Sequence, residues 1–164
     1  MVLNLKKVFT KDSESCSFDY GMDLSSVDVN GFHPFVSPVS IQGTVQGRDG
    51  FAQLDAQVSF DFLMPCDRCT KQVDKHFKYT FSHNLVLSLE NEDDINYIQV
   101  SDYTLDLDEL MRADILLELP VKFLCREDCK GLCSQCGQDL NEKTCNCNLH
   151  QIDPRLEALK KLID

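Results

Sequence analysis

Tryptophan is absent from this 164-residue chain, and glycine and proline are scarce, with seven and five residues. Collagen-like and low-complexity sequences are much richer in both, so the composition excludes those classes. No apolar run approaches the roughly 18–20 residues that span a bilayer. Residues 1–9 also lack the apolar stretch and the cleavage site of a secretory signal peptide. We therefore predict a cytoplasmic protein that makes no membrane contact.

Basic residues are few as well, since 16 lysines and arginines face 27 acidic residues and give a net charge of −11. Residues 90–118 hold ten of the acidic residues and a single basic one, Arg112. This stretch is either a solvated loop and helix start or a contact for a basic protein partner. Nucleic-acid-binding proteins usually carry a basic face, so the charge disfavours direct RNA contact. One alternative keeps RNA contact through five cations: Lys71, Lys75, Lys78, Arg126 and Lys130.

Three consecutive segments alternate between apolar and polar residues, which is the pattern of strands with one buried face. They span residues 39–45, 52–64 and 77–89, and Gly47-Arg48-Asp49-Gly50 supplies turn-forming residues between the first two. The pattern predicts an antiparallel β-meander. A further strand is expected near residues 2–9, whereas residues 10–38 show no clear pattern.

Two later segments have helical features. Residues 106–117 place apolar residues at near-helical spacing, and Asp106 is suited to cap this helix. A second helix is predicted to start at Asp153-Pro154. The fold class is therefore α+β, an antiparallel β-meander covered by one or two helices with a C-terminal cysteine-rich zinc-binding lobe. We predict a core domain over residues 1–120 and a cysteine-rich segment with a C-terminal helix over residues 121–164.

Nine cysteines are the most informative part of the composition. In a reducing compartment, clustered thiols favour metal binding over disulfides. What we call the C-terminal quartet consists of Cys133, Cys136, Cys145 and Cys147, and its Cys133-Ser134-Gln135-Cys136-Gly137 run has the form of a zinc knuckle. The hairpin quartet combines a pair at the predicted hairpin tip with two later thiols: Cys66, Cys69, Cys125 and Cys129. We predict one or two zinc ions per chain, one Zn²⁺ for each quartet that forms, with Cys16 left as a passive thiol.

Metal is favoured because the segment 125–149 has little else to bury: its only large aliphatic residues are Leu132, Leu140 and Leu149. Three leucines at about 1.5–3 kcal/mol each cannot offset an ordering cost of roughly 1–2 kcal/mol per residue. Structural zinc contributes about 10–16 kcal/mol in finger peptides. The alternatives are a single site in which Cys129 replaces Cys145 or Cys147, an iron–sulfur cluster, or His150 as a ligand.

Nothing in the sequence indicates catalysis. The four histidines are scattered, and no open three-ligand zinc site, nucleophile–base pair or phosphate-binding glycine loop is apparent. We therefore predict that the protein is not an enzyme. Cys66-x-x-Cys69 also has the spacing of a redox dithiol, so a thiol-redox or metal-handling protein is an alternative.

The sequence from about residue 40 to the end resembles the YceD-like family, the large ribosomal RNA subunit accumulation proteins. The resemblance rests on four motifs: Pro65-Cys66-Asp67-Arg68-Cys69, Leu119-Pro120, Cys129-Lys130-Gly131-Leu132-Cys133-Ser134-Gln135-Cys136-Gly137-Gln138-Asp139-Leu140-Asn141 with Cys145-Asn146-Cys147, and Asp153-Pro154-Arg155-Leu156. It implies a bacterial cytoplasmic protein needed for accumulation of the large-subunit ribosomal RNA, with no established enzymatic activity.

On this basis we expect a non-enzymatic ribosome-biogenesis factor with structural zinc. Its expected partner is a ribosomal protein or a pre-ribosomal large-subunit particle. A zinc-stabilised interaction module with partners unrelated to ribosomes is the remaining alternative.

Overall fold

The computed structural model describes residues 1–10, 14–48, 50–88 and 97–147. The chain divides into two compact units, the first formed by residues 1–64 and 73–121 and the second by residues 65–72 and 122–164. The turn at residues 65–72 therefore groups with the C-terminal unit although it lies between two strands of the sheet. The predicted domain division at residue 120 stays a prediction.

The described residues form seven strands and two α-helices. In chain order these are β1 (Val2–Asn4), α1 (Lys6–Thr10), β2 (Ser15–Met22), β3 (Val39–Arg48), β4 (Phe51–Pro65), β5 (Gln72–Val86), β6 (Tyr97–Gln99), β7 (Thr104–Asp106) and α2 (Leu107–Glu118), with a 3-10 turn at Ser101–Tyr103 before β7. Strands β2 to β6 form a five-stranded sheet in sequential order, and β1 pairs with β7 in a separate two-stranded sheet.

The three alternating segments form the adjacent strands β3, β4 and β5, and the α+β class is confirmed. Strands β2 and β3 pair antiparallel, as do β3 and β4, whereas β6 joins the edge of the sheet parallel to β5. Alternation along β4 buries every second side chain from Ala52 to Met64. Phe60 and Phe62 of that strand each contact Phe35 and also Phe77 of β5. The ring centroids of these four pairs are 5.2–5.7 Å apart.

Helix α2 forms where the helical spacing predicts it. The Asp106 carboxylate accepts hydrogen bonds from the backbone N–H groups of Asp108 and Glu109, which satisfies donors that the first turn leaves unpaired. The helix buries Leu107, Met111 and Ile115 completely. This matches the expectation that an amphipathic helix packs its apolar side into the core.

The N-terminal segment differs from the prediction of one strand over residues 2–9. Strand β1 ends at Asn4, whose side-chain oxygen accepts a hydrogen bond from the N–H of Lys6 at the start of α1. Leu5 and Val8 are both buried, and their i, i+3 spacing suits a helical turn better than a strand. The residues without a clear pattern include β2, which forms one edge of the large sheet.

The second predicted helix, which starts at Asp153, lies outside the described residues. Across the ranges that are described, no helix is both long enough and apolar enough to cross a membrane.

Candidate metal centres

The hairpin thiols lie in the turn between β4 and β5. The N–H of Cys66 donates to the carbonyl of Lys71 at 2.7 Å, and the N–H of Thr70 donates to the carbonyl of Cys66 at 2.9 Å. These two bonds close the turn, with Thr70 in the left-handed region at φ 58°. The turn buries the Cys66 and Cys69 side chains, which are 1% and 3% exposed.

Asp67 and Arg68, between the two thiols, fasten this turn to the segment that follows residue 122. Asp67 pairs with Phe123 twice, through backbone N–H to carbonyl at 2.8 Å and through its carboxylate, which accepts from the Phe123 N–H at 2.7 Å. The Arg68 guanidinium donates to the carbonyl of Cys129 at 2.6 Å, and its own carbonyl accepts from the Leu132 N–H. These contacts bring the turn to the second pair of thiols.

The hairpin quartet comes together with distances that fit a single tetrahedral ion. All four sulfur atoms lie within 4.8 Å of one another, with Cys66 Sγ 3.8 Å from Cys129 Sγ and Cys69 Sγ 3.6 Å from Cys125 Sγ. A tetrahedron with Zn–S bonds of about 2.3 Å has edges of about 3.8 Å. A disulfide needs about 2.05 Å, and all four cysteines are free. The donor set therefore fits zinc, and this quartet can hold a metal ion.

The C-terminal quartet also comes together, with its four sulfur atoms within 4.8 Å of one another. Its first pair sits in a tight turn in which the Gly137 N–H donates to the Cys133 carbonyl at 2.9 Å and the Cys133 N–H donates to the Gln138 carbonyl at 2.8 Å. Gly137 has a φ of 72°, a conformation that glycine adopts without a steric penalty. This quartet is more open to solvent, because only Cys133 is buried and Cys136 is exposed.

Within the hairpin quartet the thiols differ in acidity. Burial works against ionisation of Cys66, but backbone hydrogen bonds from Cys125, Arg68 and Cys69 outweigh it and lower the pKa of this thiol to about 6. Burial and the neighbouring thiols raise the pKa of Cys125 to about 12. Amide donors thus favour the thiolate of Cys66, while repulsion from the neighbouring thiols opposes ionisation of Cys125. A divalent cation removes that repulsion.

The C-terminal quartet repeats this arrangement. Backbone hydrogen bonds from Cys136 and Gln135 lower the pKa of Cys133 to about 6. At the other end of the quartet, the hydrogen bond with Cys136 together with burial raises the pKa of Cys147 to about 12. Peptide N–H groups that point at sulfur are typical of structural zinc–thiolate sites, because they offset the formal −2 charge of four thiolates on one Zn²⁺.

Two residues that the sequence analysis did not single out support these sites. The Asn141 amide donates to Cys129 Sγ at 3.4 Å, while its oxygen accepts from the Lys130 N–H at 2.8 Å and from Arg126 at 2.9 Å. Asp139 forms an ion pair of 2.9 Å with Lys71 of the hairpin turn, and this contact lowers the pKa of its carboxyl group to about 2. Both residues stand in the family motif directly after the zinc knuckle, and this position is the sequence feature that could have identified them.

The other candidate residues lie apart from the quartets. Cys16 is half-buried in β2. His76 and His83 contact Asp61 and Asp114, each at 2.7 Å. The remaining candidate ligand, His150, lies outside the described residues. Because Cys129 sits with Cys66, Cys69 and Cys125, the geometry favours two separate quartets over the alternative in which Cys129 joins the later thiols.

Fold and site together define an α+β protein with two cysteine quartets, each suited to one metal ion. Comparison with known families makes the assignment specific: the model described as "Large ribosomal RNA subunit accumulation protein YceD" matches residues 54–163. The chain belongs to the YceD family, as its cysteine motifs indicated.

Two similar proteins align over most of the chain. A Bacillus subtilis (strain 168) protein described as "Uncharacterized protein YlbN" is 30% identical over 155 residues, which cover 92% of this chain and 89% of that protein. The Zea mays "Large ribosomal RNA subunit accumulation protein YCED homolog 1, chloroplastic" is 24% identical over 177 residues, which cover 88% of this chain and 60% of that protein.

A shorter match comes from Mycobacterium tuberculosis, where an uncharacterized protein is 39% identical over 72 residues, covering 44% of this chain and 33% of that protein. No solved structure matches the chain.

Proposed function

We propose that this protein is a non-enzymatic cytoplasmic factor that supports accumulation of the large-subunit ribosomal RNA. In this proposal it docks on a ribosomal protein or on a precursor of the large subunit, and two structural zinc ions hold its C-terminal unit in shape. The observation that carries the proposal is membership of a family described by this role. The chloroplast relative from maize carries the same description.

Burial within the C-terminal unit supports the role of zinc in this proposal. The described aliphatic side chains of the segment 125–149 form no buried core, because Leu132 is 38% exposed and Leu140 is only half-buried. Among the described residues of this unit, the buried side chains are Phe123 and the thiols Cys66, Cys69, Cys129 and Cys133. Since one phenylalanine cannot order more than twenty residues, we attribute most of the stability of this unit to metal–thiolate bonds.

The partner in this proposal is a protein surface rather than bare RNA. Of the five cations that could contact phosphate, Lys71 is paired with Asp139 and Glu142, and Arg126 is paired with Asp128 and Asn141. Lys75 and Lys78 are exposed on β5, where the exposed acidic residue Asp74 precedes Lys75, and Lys130 is exposed as well. If RNA is contacted directly, its retention on the protein falls steeply as salt is raised.

A thiol-redox function has one observation in its favour, the low pKa of Cys66. Reactive dithiols must also reach their substrate, yet Cys66 and Cys69 are almost completely buried and have two further thiols beside them. Metal analysis distinguishes a thiol-redox function from a structural zinc site. A structural role predicts about two zinc ions per chain in protein purified without added zinc, and thiols that react only after chelation.

The function is tested in a strain depleted of the protein, by sedimentation of ribosomal particles and analysis of precursor ribosomal RNA. The strain is complemented with the wild-type chain, with Cys66→Ser/Cys69→Ser, with Cys133→Ser/Cys136→Ser, or with Cys16→Ser. We expect loss of large-subunit RNA on depletion, and rescue by the wild-type chain and by Cys16→Ser, the matched control outside both quartets. Normal particle and RNA profiles after depletion contradict the proposal.

A further inference from the structure

Helix α2 carries an apolar stripe on its solvent side, in addition to the side packed into the core. Leu110, Ala113 and Leu117 are spaced at i, i+3 and i+7, so they lie along one line of the helix surface. Leu117, next to the last residue of α2, is 85% exposed, and Ala113 is exposed as well. Such a stripe beside a concave surface is a common feature of protein-binding sites.

A groove runs beside the first half of this stripe. It has a volume of about 400 Å³, and Leu110 and Ala113 form one wall. Ile98 of β6 and Leu105, in the β7 strand that leads into α2, line it as well. Gln99, Ser101 and Thr104 are polar members of its lining. Leu110, Ala113 and the exposed Leu117 form an apolar track along the helix, and we call the groove together with this track the α2 groove.

Acidic residues flank the α2 groove. Residues 97–118 contain six acidic residues and one basic residue, Arg112. Asp106 and Glu109 line the groove itself. On the other side of the stripe, the exposed Glu118 follows its second half, whereas Asp114 is already paired with His83 at 2.7 Å. The apolar track therefore has carboxylates on both sides.

We propose that the α2 groove binds a cationic amphipathic helix of a partner protein. Leucine-type side chains at helical spacing in the partner fit the apolar track, and lysine or arginine residues beside them meet the flanking carboxylates. The same carboxylates repel RNA phosphate and anionic lipid headgroups. A second copy of this chain brings an equally acidic groove, so like charges oppose pairing of the groove with itself.

The biological role of this helix binding rests on the proposed function in ribosome biogenesis. Binding itself can be tested separately, because peptide binding to the purified protein requires no measurement of ribosomal RNA. Failure of the peptide experiment leaves the depletion experiment intact, and the reverse also holds.

The probe is a fluorescent synthetic peptide of about 18 residues, built from leucine, lysine and arginine with the leucines on one helical face. One control peptide has the same composition with the leucines scattered around the helix, and another carries glutamate in place of the basic residues. The protein variants are Leu117→Gln and Glu109→Lys. Their controls are Val121→Gln, at a 93% exposed valine beyond the helix end, and Glu127→Lys, at an exposed residue of the other unit.

We expect the cationic amphipathic peptide to bind with an affinity that falls with salt. Leu117→Gln weakens binding about tenfold, as expected for loss of one well-buried leucine contact. Glu109→Lys weakens it on the order of fivefold, while both control variants bind as the wild type does. Because Leu117 and Glu109 are exposed, these substitutions leave the fold intact, and circular dichroism verifies this.

Three results overturn the inference. The first is equal binding of the scattered or the acidic peptide. The second is equal loss of binding in the Val121→Gln or Glu127→Lys control. The third is a dimer that Leu117→Gln converts to a monomer in sedimentation equilibrium, since a second copy then covers the groove.

Discussion

Replacing Asn141 with alanine tests how the hairpin quartet is supported. The Asn141 amide is the side-chain donor to Cys129 Sγ, and its oxygen holds the Lys130 N–H beside that cysteine. Burial works against ionisation of Cys129, but the Asn141 hydrogen bond, with help from Gly131 and neighbouring thiols, lowers the pKa of this thiol. Asn141→Ala removes both the donor to sulfur and the acceptor that orders the loop.

The expected loss is about 10–100-fold in zinc affinity, the usual effect of removing a partner that orients a metal ligand. It should affect one of the two zinc ions, because Asn141 contacts Cys129 and no member of the C-terminal quartet among the described contacts. Asn141→Asp keeps the acceptor for Lys130 but removes the donor and adds a negative charge. This variant should therefore bind zinc as weakly as Asn141→Ala.

The assay is competition for zinc with a coloured chelator at fixed pH, followed until both ions are removed. Cobalt substitution then reports thiolate coordination by its absorption. Glu127→Ala is the matched control, since Glu127 is exposed and lies between Cys125 and Cys129 in the same loop. We expect one weakened ion in the Asn141 variants and two unchanged ions in the control.

The reasoning is refuted if Asn141→Ala and Glu127→Ala release zinc like the wild type, or if both ions are weakened equally. Full zinc affinity in Asn141→Asp shows instead that the acceptor for Lys130 is what matters and that the bond to sulfur is dispensable.

Three further predictions concern the C-terminal quartet, the sheet and the protons released by zinc binding. Cys133→Ser should make the chain from residue 133 onward sensitive to protease, while hydrogen exchange in the sheet stays slow. An equally resistant tail contradicts the role given to zinc. Gly43→Ala should lower the free energy of unfolding by about 1–3 kcal/mol in urea titrations, because its new Cβ would clash with the backbone carbonyl oxygen of Asp55 and lie 2.6 Å from the Phe18 ring. Thr44→Ala on the exposed side should have little effect. Zinc binding to each quartet should release more than one proton, because thiols such as Cys125, with a pKa of about 12, are protonated beforehand. Calorimetry in buffers of different ionisation enthalpy measures this release, and the apparent zinc affinity should fall as the pH is lowered.

The thiol sites give the C-terminal unit a different basis of stability from the sheet unit. In the sheet unit, alternation along β4 and the helical spacing of α2 bury a large apolar core. In the C-terminal unit the described hydrogen bonds are local turns and links between loops, such as those of Asp67 and Arg68. Loss of metal should therefore unfold this unit first.

Much of the architecture follows from local sequence patterns. Period-two alternation specifies the strands β3 to β5, and an Asp106 cap before helically spaced leucines specifies α2, because each pattern acts within one element. The cysteine spacings likewise define the zinc knuckle, since both of its thiols sit in one turn. These features need no knowledge of distant residues.

Other features were settled only by the tertiary structure. Pairing of β1 with β7 joins segments about a hundred residues apart, and β6 enters the sheet in parallel, which no periodicity reveals. The N-terminal strand ends at Asn4, where burial of Val8 and a side-chain cap favour a helical turn. Proximity of Cys69 to Cys125, 56 residues away, depends on Asp67 and Arg68 holding two loops together, and the support from Asn141 is visible only once those loops meet. Local patterns set the backbone state of each segment, whereas packing and side-chain hydrogen bonds between distant segments decide which of them come together.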